Sequence, residues 1–92
     1  MAYQFEWSPA KAAANLIKHG ESFDEAKTAF GDWKAIHLPD SSHSVNEHRY
    51  LLVGTSDRQR VLVVVYTERP PGTRIISARL ADRSERRTYG EG

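Results

Sequence analysis

Val61-Leu62-Val63-Val64-Val65-Tyr66 constrains this chain more than any other stretch. Six apolar, mostly β-branched residues between polar neighbours are too few for a helix and have the composition of a strand buried on both faces. Pro70-Pro71-Gly72 follows, and proline then glycine predicts a type II turn. The next arm, Thr73 to Ala78, is again β-branched, so the pair reads as an antiparallel hairpin. Arg60, Arg69, Arg74 and Arg79 mark its ends and its turn. Packing requires none of these charges.

The remaining elements are arranged around that hairpin. Tyr3 to Trp7 alternates aromatic and polar residues, the period of a short edge strand. Ser8-Pro9 starts a helix as N-cap and first helical residue, and Gly20 stops it after His19. Its apolar positions Ala12, Ala13, Leu16 and Ile17 predict the buried stripe, with Lys11, Asn15, Lys18 and His19 on the opposite face. Ser22 and Glu25 form a capping-box pattern opening a second helix, with Phe23, Ala26 and Phe30 inward and Gly31 at its end. His19 and Gly20 form the elbow between the two helices.

Trp33 to Leu38 reads as a strand, and residues 40–48 as a polar loop. Arg49 to Thr55 is the next strand, with Ser56 to Gln59 a tight turn. Leu80 to Tyr89 is predicted to be helical, placing Arg79, Arg83 and Arg86 on one line, and Gly90 to Gly92 is expected to be a disordered tail. Trp7 and Trp33 are expected as core anchors. The class is α+β: one domain over residues 1–92, an N-terminal helix pair, an antiparallel sheet of about four strands and a C-terminal helix. Helices are expected on one face of the sheet, the other being left for a partner.

Ninety-two residues suffice for one modest core. The absence of cysteine excludes a disulfide framework and thiolate metal sites. No apolar run approaches a membrane span, and a cytoplasmic setting without membrane contact is expected. The net charge of +1 hides an asymmetry. Residues 1–48 hold four lysines against seven acids, whereas residues 49–87 hold nine arginines against four acids. Arginine binds phosphate in a planar fork and keeps its charge at cellular pH, so the second half suits a polyanion such as nucleic acid. Ordinary surface charge on an arginine-rich helix is the alternative.

The dispersed glycines form no phosphate loop. His19, His37, His43 and His48 lack the paired spacing of a zinc site, so no metal or other cofactor is expected. What remains is a set of cationic and titratable groups: Lys18 and His19 at the elbow, Glu68 and Arg69 at the hairpin turn, Arg79 at its end. Such a set suits metal-free attack of a ribose 2′-hydroxyl on its own phosphate, which needs a base, an acid and cations for the developing charge. The competing reading of each residue is a surface ion pair, worth at most about 1 kcal/mol.

Phe5-Glu6-Trp7-Ser8-Pro9, Lys11, Asn15, Lys18-His19-Gly20 and Ser22-Phe23-Asp24-Glu25-Ala26 resemble the first half of BrnT-type toxins. Arg49-Tyr50, Gly54, Val65 to Arg69 and Arg74 to Arg79, with Glu85 and Tyr89, resemble the second half. The resemblance spans nearly the whole chain. It implies a RelE-like fold and a ribonuclease toxin of a type II toxin–antitoxin module, inhibiting translation and checked in a hetero-oligomer by a BrnA-type antitoxin. DNA would be met only through that antitoxin. Carried onto this sequence, His19, Glu68, Arg69 and Arg79 become the catalytic set, with Lys11, Lys18, Arg49 and Arg74 guiding RNA. His19 is then expected to face the same groove as Arg69 and Arg79. Two positions depart from the family pattern: Ser8 where an acidic residue is usual, and the stiff Pro70-Pro71-Gly72 turn. A non-catalytic RNA- or protein-binding module of the same fold is the alternative, as is a toxin acting on a protein such as DNA gyrase.

Overall fold

The computed structural model describes residues 4–40 and 47–91. Tyr3, most of the 40–48 loop including His43, and Gly92 lie outside the described residues. In chain order the elements are β1 (Gln4–Glu6), α1 (Pro9–His19), α2 (Phe23–Thr28) with a 3-10 turn at Ala29–Gly31, β2 (Ile36–Pro39), β3 (Tyr50–Thr55), β4 (Val61–Arg69), β5 (Gly72–Leu80) and α3 (Arg83–Glu91). Among these, no helix is long and apolar enough to cross a membrane.

The sheet has five strands in the order β1-β5-β4-β3-β2. It is mixed rather than purely antiparallel, because β1 pairs parallel to β5 from Gln4↔Gly72 to Glu6↔Arg74. The β4–β5 hairpin is the centre, as the apolar run requires. Its turn differs from the expected type II turn: Pro70 and Pro71 are the two connecting residues, joined by a cis peptide bond, and Gly72 already belongs to β5. Gly72 serves the β1 contact instead. A Cβ built there would stand 2.1 Å from the Gln4 carbonyl oxygen, so only glycine lets the two backbones approach.

Side-chain alternation divides the sheet into two faces. One carries Leu52, Leu62, Val64, Tyr66, Ile75 and Ala78, which close with Phe23, Ala26 and Ala29 into the main core. Each fully buried Phe, Leu, Ile or Val contributes about 1.5–3 kcal/mol. Trp7 joins this core edge-on to Phe23, with centroids 5.8 Å apart. Trp33 does not; it sits in a turn before β2, 89% exposed. The opposite face carries Val53 and Val63, packed with Ala81 and Tyr89 beneath α3. Helices therefore lie on both faces, and α3 leaves part of the second face open. Leu80 closes β5 rather than opening a helix, and α3 runs through Gly90 to Glu91.

Helix α1 has the expected bounds, with Ser8 Oγ accepting from Lys11 N at 3.3 Å and Gly20 in the left-handed region at φ 72°. Its expected burial holds at Ala12, which packs against the main core, and fails further along. Leu16 and Ile17 are 52% and 88% exposed, while Asn15 is buried at 7%. The Asn15 amide donates to Ala78 O at 2.8 Å and Glu21 O at 3.0 Å, and its oxygen accepts from Ala78 N at 3.1 Å. The side chain thus satisfies a stretch of the β5 edge beyond the reach of β1 and ties it to the elbow. Buried backbone groups need such partners, which is why a polar residue takes the inward position.

Ser22 caps α2 as expected, accepting from Glu25 N at 3.0 Å. The Glu25 carboxylate, which a capping box would turn back to the Ser22 N–H, is turned instead to Arg60 and accepts from Ser56 Oγ at 2.7 Å. Arg60 also donates to the almost fully buried Glu21 at 3.0 Å. The elbow and the β3–β4 turn are pinned together through this one guanidinium.

Candidate functional site

The face not covered by α1 and α2 collects arginines. On β4, Arg69 lies in phase with Val65 and Val63; on β3, Arg49 precedes Leu51 in the same phase. On β5, Arg74 and Arg79 differ in parity, but the register shift opposite Val65/Tyr66 inserts Ile76 as an extra residue. Arg74 then pairs with Thr67 and Arg79 with Val63, which puts both on this face. Arg49, Leu51, Val63, Val65, Ile76, Ser77, Arg79 and Asp40 wall an open groove of about 460 Å³.

Each arginine is oriented by a carboxylate. Arg79 is forked on Glu85, with Nη1 to Oε1 and Nη2 to Oε2 both 2.8 Å. Glu85 is itself fixed by a reciprocal cap at the start of α3: Asp82 N donates to Glu85 Oε1 at 2.9 Å, and Glu85 N donates to Asp82 Oδ1 at 2.8 Å. The Arg79 hydrogen bonds hold the Glu85 carboxyl below its usual range against the opposing effect of burial, and those to Glu85 raise Arg79 further. Glu47 stands 3.6 Å from Arg49 and 3.8 Å from Arg69. Arg74 donates to Glu6 at 3.2 Å. The Tyr89 hydroxyl accepts from Thr55 Oγ1 at 2.9 Å and donates to Asp32, anchoring α3 beside the groove.

The predicted site residues divide between the two sides. Arg49, Arg69, Arg74 and Arg79 share the open face. Arg69 and Arg79 do not meet, however; six strand residues separate their levels, about 20 Å at the usual rise. One phosphate cannot touch both. Arg69 instead borders a hollow at the hairpin tip with Phe5, Glu6 and Thr73. Glu68, one residue before Arg69, takes the opposite face, where Thr73 Oγ1 approaches it at 3.4 Å. His19 ends α1, one turn beyond the Asn15 that docks on the β5 edge, and lines neither the Arg79 groove nor the Arg69 hollow. Lys11 and Lys18 are exposed on the same helix. Strand parity thus sets Glu68 apart from the arginine face, and His19 lines neither of the spaces that the arginines wall. Sequence reasoning missed Glu47, Ser77 and Glu85 as groove companions. For Glu85 the signal was available, since Asp82-Arg83-Ser84-Glu85 is a capping-box pattern.

The fold and site define a small α+β protein with a helix-backed sheet that presents arginines on its open face. The family model for the ribonuclease toxin BrnT of type II toxin–antitoxin systems matches residues 7–85. The chain belongs to this BrnT toxin family, a ribonuclease family of toxin–antitoxin systems that implies an antitoxin partner. No curated protein sequence matches it. Among solved structures, the Brucella abortus ribonuclease toxin BrnT is similar with a TM-score of 0.68 and 19% identity, over 89% of this chain and 100% of that one. At that identity the likeness shows the common fold.

Proposed function

We propose that the whole chain, as a single domain, is a metal-independent endoribonuclease that binds RNA along its arginine face. Its cleavage would inhibit translation, and a BrnA-type antitoxin would neutralise it in a cytoplasmic hetero-oligomer. The observation that carries this reading is the gathering of Arg49, Arg69, Arg74 and Arg79 on one open sheet face of a BrnT-family chain. Four guanidinium groups along one surface suit successive phosphates of an extended strand. Arg79, beside the groove and forked on Glu85, is the group we assign to the phosphorane charge, because its planar donors are already oriented. Glu47, between Arg49 and Arg69, is the carboxylate positioned to take a proton on that face. His19 and Glu68 have no step in this scheme. The test is incubation of purified protein with RNA in excess EDTA. Cleavage should persist and leave 2′,3′-cyclic phosphate ends; loss of cleavage restored by magnesium would overturn the metal-free mechanism, and intact RNA throughout would favour a binding module.

A further inference from the structure

On the helix-covered face, at the end that bears the hairpin tip, Phe30 is packed edge-on to both Phe5 and Tyr66, with centroids 4.9 and 5.0 Å away. The His37 ring stands 6.4 Å from Phe30 and 5.9 Å from Tyr66. These groups open into a cleft of about 500 Å³ walled by Phe5, Lys27, Thr28, Phe30, Gly31 and His37. That volume lies within the span of small-ligand sites. His37 Nδ1 is 2.8 Å from the buried Tyr66 hydroxyl, which fixes the imidazole while the residue stays exposed. Lys27 stands at the rim, 3.7 Å from an exposed Asp24 carboxylate. Phe5 also walls the hollow beside Arg69, so the cleft and the arginine face meet around β1.

We propose that this cleft receives one base of an RNA strand whose phosphates lie on the arginine face, with His37 and Phe30 selecting the base and Lys27 meeting its phosphate. The inference rests on the ribonuclease reading and adds a recognition site to it. Aromatic walls accept the flat face of any base, and a fixed imidazole edge supplies the hydrogen-bonding group that distinguishes one base from another. A cation at the rim of an otherwise apolar cleft complements a nucleotide better than it does an apolar side chain. Continuity with the Arg69 hollow gives the strand a path from one surface to the other.

The experiment uses the full chain and four 2′-O-methyl hexanucleotides, one for each base, which lack the attacking hydroxyl. Ring resonances of His37 and Phe30 should shift on titration, with one base favoured. His37→Ala and Lys27→Ala should each weaken binding of the favoured oligonucleotide, on the order of 10-fold for the lost stacking partner. His37→Ala should also broaden the cleavage-site preference on natural RNA, while its amide spectrum stays that of a folded protein. His37→Phe should retain affinity and lose base preference. If the parent cleaves RNA and its arginine-face resonances shift while His37 and Phe30 stay silent, the cleft proposal fails and the ribonuclease reading stands. If no oligonucleotide binds and no RNA is cleaved, both fail. Ring shifts produced by the antitoxin alone, with none from RNA, would assign the cleft to a protein partner and overturn the proposal.

Discussion

The side chain of Asn15 binds both backbone groups of Ala78, accepting from its N–H at 3.1 Å and donating to its C=O at 2.8 Å. A helix side chain thus does for the β5 edge what a neighbouring strand does elsewhere. Asn15→Ala leaves Ala78 and the Glu21 carbonyl without this partner in a buried setting. A loss of about 1–3 kcal/mol is expected for an unsatisfied group, and Asn15→Asp should not rescue it, because the donor to the two carbonyls is gone. Urea denaturation of the three proteins checks the order.

Gly72 gives a second stability prediction. Gly72→Ala forces a methyl into the Gln4 backbone, so β1 must move or detach. Hydrogen exchange should show lost protection in β1 and at the start of β5, with the β3–β4 pairing unchanged. Full protection of β1 in the variant would refute the close-approach account.

The cluster at Arg60 predicts opposite pH effects from its two acids. Arg60 hydrogen bonding holds the Glu25 carboxyl below the ordinary 4.5, against the opposing effect of burial. Its stabilisation is complete above 4.5 and is lost as pH falls through the depressed native value. Glu21 is raised, first by burial and then by the Glu25 charge. Its native state binds more protons, so its contribution is fully present below 4.5 and declines as pH rises through the raised value. Glu21→Gln should therefore flatten the stability profile just above pH 4.5 and leave the steeper acid loss in place. Denaturation midpoints from pH 3 to pH 7 test this.

How much of this the chain's residues disclose depends on whether the deciding interaction is local. Helix α1 was legible to the residue because Ser8, Pro9 and Gly20 act within a turn of themselves. The hairpin was legible because an apolar run of six, four of them buried, leaves few alternatives. Asn15 was not, since its partner lies 63 residues away and its spacing placed it with exposed lysines. Trp33 misled too: aromatic character suggests burial, but among the described residues it stays exposed. The arginine face was half legible. Strand period two aligns Arg69 with Val65, yet only the bulge at Ile76 brings Arg74 and Arg79 onto one side. Arg79 is further obscured because it stands where the hairpin gives way to the expected helix, in line with Arg83 and Arg86. The resemblance supplied the family, and strand parity set Glu68 apart from the arginine face.

Glu85 offers a test of positioning. Glu85→Gln keeps the shape but removes the charge that holds the Arg79 fork, and weakens the cap to Asp82. RNA turnover should fall less than in an Arg79 variant, and stability should drop by about 0.5–2 kcal/mol through the cap. Equal turnover in Glu85→Gln and the parent would show that the fork is oriented without it.

The most direct measurement compares cleavage rates in EDTA for the parent, Arg79→Lys and His19→Ala. Lysine keeps the charge but not the planar fork. Turnover of Arg79→Lys should fall on the order of 100-fold, by analogy with loss of a single oriented electrostatic donor, while its thermal unfolding matches the parent. His19→Ala should cleave at the parental rate, because that residue lines neither space walled by the arginines. An Arg79→Lys enzyme as fast as the parent, together with a silent His19→Ala enzyme, would contradict the assignment of catalysis to the arginine face.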